Sequence, residues 1–101
     1  MSDAKPYPLD TNLIVYKDGR VWNTRDNNWQ PTHLHSDKIR LKISVAAENH
    51  PRLRYRIVLL THNWRDDHKN FDVHHINLDP TDDRFENLMW VPKDVHRKLH
   101  K

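Results

Sequence analysis

The chain has 101 residues, 36% of them hydrophobic and 31% charged, with a formal net charge of +3; this is enough chain for one modest core, and too rich in periodic apolar residues for a disordered segment. It contains no cysteine, which excludes a disulfide framework and a thiolate zinc site, so any metal would be held by His, Asp, Glu or Asn. No apolar run approaches the roughly twenty residues of a membrane span, and Met1 to Asp10 lacks the charged-then-apolar order of a signal peptide, so a soluble, cytoplasmic protein with no membrane partner is expected.

Residues 1–12, with Pro6, Pro8 and Asp10, read as an irregular lead-in. Leu13-Ile14-Val15-Tyr16, Lys17-Asp18-Gly19-Arg20 and Val21-Trp22 read as strand, turn and strand, with the single glycine of the chain at the turn. Asn23 to Ser36 is polar, with Trp29 as its expected anchor, and Ile39 to Val45 alternates apolar and polar residues as a half-buried strand does. After a turn from Ala46 to Pro51 the alternation resumes over Leu53 to Ile57, and Val58-Leu59-Leu60 points to a short helix leading to Trp64. Beyond the charged connection Arg65 to Asn70, Phe71 to Ile76 has strand character and Asn77 to Asp83 is turn-forming. Arg84 to Asn87 reads as one helical turn, Leu88 to Val91 as a short strand, and Pro92 to His100 as a helix with proline at its start. The expected fold class is α+β, a single domain over 1–101, with an antiparallel β-rich part over 12–64 followed by a strand, loop, strand, helix unit over 71–101.

Nine histidines are far more than ordinary composition gives, and imidazole is both a common metal ligand and the base best matched to neutral pH. His96 and His100 are four positions apart on the expected helix, so they share a face and can converge on one point. His74 and His75 are neighbours in a strand and point to opposite faces, so one can ligate a metal while the other takes a proton. His33 and His35 flank Leu34 without a partner pair, and with His50, His62 and His68 they read as surface residues. Trp22, Trp29, Trp64 and Trp90 read as core. Arg52, Arg54 and Arg56 alternate on one expected strand face, and Lys93, Arg97, Lys98 and Lys101 surround His96; each set reads either as a solvated face or as a face that tracks phosphate.

The ungapped run from His74 to Val91, followed by His96, resembles the motif of the HNH endonucleases, as in small phage and intron-encoded homing enzymes. The spacings from Asn87 to His96 and from His96 to His100 are also similar to those of colicin-type members. About thirty residues, Phe71 to Lys101, carry the resemblance; Tyr16 to Asn23 and the strands after it are similar, more loosely, to the β-rich region before the motif. The resemblance implies a ββα-metal unit that hydrolyses phosphodiester bonds in double-stranded DNA with one divalent metal ion, Mg²⁺, Mn²⁺, Zn²⁺ or Ni²⁺. For a phage-encoded member it implies the cytoplasm of a bacterial host. It also implies that His74 is a metal ligand, His75 the general base that activates water, Asn87 the residue that holds the loop and orients the base, and His96 the ligand completing the metal site. His100 would be a third ligand or a phosphate contact.

Those roles match what the reaction needs, since charge develops on the phosphate and the leaving oxygen while water must lose a proton on the opposite side. Imidazole ligands shift preference from Mg²⁺ towards Zn²⁺, Ni²⁺ or Mn²⁺. Asn77-Leu78-Asp79 stands where many phage members have Asp-Gly-Asn, so a glycine-dependent turn is absent, and Asp82-Asp83 replaces a common Asn pair, adding negative charge near the path of a phosphate. Homing members usually extend into a helical DNA-binding segment, and a sequence stopping at Lys101 is expected to nick rather than home. Two other readings use the same residues: a non-catalytic DNA-binding module that keeps the fold, and a purely structural metal site, which has no need of an unligated His75 beside a ligand.

Overall fold

A computed structural model describes residues 3–48 and 51–99, the side chains of Arg97 and Leu99 excepted. Strands β1 (Ala4–Tyr7), β2 (Asp10–Tyr16), β3 (Val21–Asn23) and β4 (Asn28–Trp29) form an antiparallel sheet in that order. The expected hairpin is there: Ile14 lies opposite Trp22 and Val15 opposite Val21, and Gly19 at the turn has φ of 100°, which glycine adopts without a side-chain penalty. The expected irregular lead-in is instead a strand. β1 is an edge strand, where the missing N–H of Pro6 disturbs little, and the ladder shifts register immediately after that proline.

A second antiparallel sheet contains β5 (His33–Leu34), β6 (Leu41–Ile43) and β7 (Arg52–Leu53), so the strand expected over 39–45 is shorter. A 3-10 turn covers Ala46–Glu48. Helix α1 runs Arg54–His62 and replaces the strand expected over Leu53 to Ile57. Its run Ile57, Val58, Leu59, Leu60 and Thr61 is buried at every position, because α1 packs against β1, β2, β6, β7, β8 and β9 at once. A helix covered on several sides has no polar stripe to mark its period, so the short helix expected at Val58-Leu59-Leu60 is present but begins earlier than its sequence signals. Each of those four aliphatic side chains contributes on the order of 2 kcal/mol by leaving water. Around them lie Tyr7, Leu13, Val15 and Val21 of the first sheet, Ile43 of the second, and Val73 and Leu88.

The last third follows expectation: β8 (Phe71–His75), a 3-10 turn Phe85–Asn87, β9 (Leu88–Pro92) and α2 (Lys93–Leu99). β8 and β9 pair antiparallel, Val73 opposite Trp90 and His75 opposite Leu88. The tryptophans differ from their expected core role. None is in the fully buried cluster; Trp90 is half-buried against it, and Trp29 and Trp64 are each 41% exposed. Trp29 packs on Tyr16 and Trp22 at the sheet surface, under the Arg20 guanidinium. Among the described residues no helix is long and apolar enough to cross a membrane.

Candidate active site

Strand alternation along β8 divides its side chains between two neighbours. Asp72 and His74 share the face towards α2: His96 Nδ1 lies 3.0 Å from Asp72 Oδ2, and the His74 and His96 rings are 6.2 Å apart at 70°. His75 is on the other face, towards α1, where its ring meets the edge of Tyr55 at 5.0 Å and 84°. His74, His75 and His96 nevertheless border one cavity of about 760 Å³, together with Arg40, Tyr55, Leu78 and Pro80. One strand thus presents two imidazoles to a common space from opposite sides.

The loop between β8 and β9 is built by Asn87, which is buried. Its Oδ1 accepts from Asn77 N–H at 3.0 Å, and its Nδ2 donates to Asn77 Oδ1 and to the Asp82 carbonyl, each at 2.9 Å. Leu78 has φ of 66° and donates its N–H to the His75 carbonyl at 3.0 Å. The left-handed conformation a glycine would supply is therefore adopted by a leucine, at a steric cost. Asp82 is tied to Arg84 at 2.8 Å, which holds its carboxyl well below the usual carboxylate range.

Asp83, expected as surface charge near a phosphate, is instead fully buried. Its Oδ1 lies 2.7 Å from His75 Nε2 and its Oδ2 accepts from Arg54 Nε at 3.0 Å. Arg54 also donates to the Thr81 carbonyl, and its guanidinium lies against the hairpin turn, where a Cβ at Gly19 would only reach ordinary van der Waals contact at 3.4 Å; it is the φ of 100° that favours glycine there. The Lys17 carbonyl accepts from Phe85 N–H at 2.7 Å, a second tie between that turn and the loop.

The three arginines do not alternate on one strand face, because Arg54 and Arg56 belong to α1. Arg52 is paired with Glu48 at 2.9 Å, Arg54 with Asp83, and Arg56 donates to the Phe71 and His68 carbonyls. Arg54 and Arg56 brace the interior, while Arg52 forms a part-exposed ion pair with Glu48. Lys93 and Lys98 are exposed on α2, Arg97 belongs to the same helix, and His50, His100 and Lys101 lie outside the described residues. His33 is exposed as expected, while His62 is half-buried: its Nε2 lies 2.9 Å from the Val15 carbonyl and its Nδ1 is sealed without a partner. Burial pushes its pKa below the ordinary histidine value. Arg40, Tyr55, Asp72 and Asp83 were not expected in the site. Asp72 was within reach of sequence reasoning, since strand alternation puts it on the His74 face; Arg40 and Tyr55 come from elements whose approach no local pattern reveals.

Residues 56–98 match the family model of the HNH endonucleases. Over that segment, less than half of the chain, the sequence is similar to the HNH endonucleases. A solved structure described as DNA binding and cleavage by the HNH homing endonuclease I-HmuI superposes with a TM-score of 0.77 at 14% sequence identity, over 96% of this chain. The fold of this chain is therefore that of the matching portion, and the chain spans 56% of the I-HmuI chain. No curated protein matches it.

Among the described residues no three His, Cys, Asp or Glu side chains gather as a metal cluster. The pair His74 and His96 still suits a divalent ion. Two imidazoles sharing an ion at about 2.1 Å have ring centres about 5 Å apart, roughly 1 Å less than the separation here. With Nδ1 of His96 engaged by Asp72, its Nε2 is the nitrogen that would ligate, and a carboxylate behind a ligating histidine is the common arrangement.

Proposed function

We propose that this protein is a metal-dependent endonuclease that hydrolyses phosphodiester bonds in double-stranded DNA, its last third acting as a ββα-metal unit within one domain. The observation that carries the reading is the arrangement on β8: the His74 and His96 rings lie 6.2 Å apart on one side, while His75 borders the same cavity from the α1 side.

His74 and His96 would hold one divalent ion, Mg²⁺, Mn²⁺, Zn²⁺ or Ni²⁺, with His100 as a further ligand. Such an ion supplies a positive charge against the scissile phosphate and the departing oxygen. His75 takes the proton of the attacking water. Asp72 fixes the ring of His96, and Asn87 fixes the loop that carries Asp83 and Leu78. Arg40 lines the cavity with its guanidinium anchored by Asp37 and the Tyr55 hydroxyl, and it supplies a cation to a phosphate entering there. Lys93, Arg97 and Lys98 on α2 extend that positive surface along a duplex, with the part-exposed Arg52 as a further contact, whereas the side chains of Arg54 and Arg56 serve internal contacts. Phosphate contacts carry no sequence information, so affinity should fall steeply with salt and depend little on sequence.

The test is nicking of supercoiled plasmid by the purified chain. Activity with added Mn²⁺, Mg²⁺, Ni²⁺ or Zn²⁺ that chelator abolishes supports the reading; binding to DNA without cleavage in all four metals overturns it in favour of a DNA-binding module.

A further inference from the structure

Asp83 is a carboxylate with no exposed surface, and burying such a group is costly unless its charge is matched. Both of its oxygens are matched: Oδ2 by the Arg54 guanidinium at 3.0 Å and Oδ1 by the His75 ring at 2.7 Å. A carboxylate paired with guanidinium only accepts hydrogen bonds, so the facing nitrogen of His75, Nε2, carries the proton, and the lone pair of the neutral ring is at Nδ1. Nδ1 has no hydrogen bond among the described residues, and it is not sealed either, since the one buried side-chain polar atom lacking a partner there is His62 Nδ1. The Tyr55 edge contact fixes the plane of the ring, and His75 borders the cavity.

We propose that Asp83, braced by Arg54, is the positioning residue for His75: it holds the imidazole as the Nε2–H tautomer and presents the Nδ1 lone pair to the water in the cavity. The proposal rests on His75 being the base. The proton of water passes to Nδ1, giving an imidazolium whose Nε2–H stays on the Asp83 carboxylate, and the hydroxide bonds to phosphorus as the ester oxygen leaves. The Asp83 charge thus faces Arg54 and His75 in the interior and is kept away from the phosphate path. Arg54, Asp83 and His75 form one chain of contacts that spans α1, the loop and β8.

Long-range ¹⁵N–¹H correlation spectra of the full chain without metal read the tautomer directly. The wild type should show His75 protonated at Nε2 at neutral pH; protonation mainly at Nδ1 overturns the proposal whatever the activity, and decides it even where substituted chains fail to fold. In Asp83→Asn the amide group can offer a donor where the carboxylate accepted, so His75 should shift towards the Nδ1–H form. The value of kcat for plasmid nicking should fall by about 10³-fold or more, as for a serine-protease triad with the same Asp→Asn change, while KM for DNA stays within threefold. An Asp83→Asn chain with wild-type kcat overturns the positioning role. A wild type that shows the Nε2–H tautomer and nicks nothing would instead refute the base assignment.

Discussion

Asn87→Ala tests whether the loop of the site depends on the buried amide. The substitution removes three hydrogen bonds at 2.9–3.0 Å, one accepted from Asn77 N–H and two donated to Asn77 Oδ1 and the Asp82 carbonyl. Each contributes about 0.5–1.5 kcal/mol net, so the loss is about 2–4 kcal/mol. Stability for a domain of this size is about 5–15 kcal/mol, and each kilocalorie moves the melting temperature by about 4–8 °C. Urea titration should therefore report a loss of about 3 kcal/mol, and thermal melts a fall of about 10–25 °C. Asn87→Asp separates hydrogen bonding from volume, because it keeps the acceptor for Asn77 N–H but sets a carboxylate oxygen against two other acceptors. At neutral pH it should be at least as destabilising as alanine. A loss under about 0.5 kcal/mol in Asn87→Ala would refute the reasoning.

Leu78→Gly should stabilise the chain by about 0.5–1 kcal/mol in urea melts, because φ of 66° strains a leucine and its 71% exposure leaves little burial to lose; a destabilised variant would contradict the strain. Burial lowers the pKa of His62 in the folded chain, so the unfolded chain binds that proton more tightly. The stability involved is fully present above the unfolded value, about 6.5, and is lost as pH falls through and below it. His62→Gln, which can still donate to the Val15 carbonyl, should lose less stability than wild type between pH 7 and 5, and an unchanged pH slope would count against the assignment. Asp72→Asn should weaken binding of Zn²⁺ or Ni²⁺, measured by calorimetry, by about 10–100-fold through loss of the carboxylate behind His96; wild-type affinity would remove Asp72 from the site.

The legible parts of this chain are those where local chemistry and structure coincide. β8, the polar loop, β9 and α2 follow from alternation, turn composition and Pro92 at the end of β9, and the hairpin follows from Gly19. The first turn of α1 was misread because Arg54-Tyr55-Arg56-Ile57 alternate like a strand, while the short helix expected from Val58-Leu59-Leu60 is its second half. β1 was missed because Pro6 and Pro8 signal irregularity, which an edge strand tolerates. Within the site, the resemblance to the HNH motif singles out His74, His75, Asn87 and His96, and the structure brings the three histidines to one cavity with Asn87 under its loop. Asp83 could not be named, since an Asp pair in a polar loop looks like solvated charge until Arg54 arrives from a helix 29 residues away in sequence. The same tertiary contact turned Arg54 from an expected DNA contact into an internal brace.

The most direct test of the central claim is single-turnover cleavage of plasmid DNA by wild type and His75→Ala, both first shown by calorimetry to bind the metal. The endonuclease account predicts that His75→Ala keeps its metal and its DNA affinity and loses nicking by at least about 10²-fold, the usual contribution of a positioned base. Full nicking by His75→Ala would contradict it.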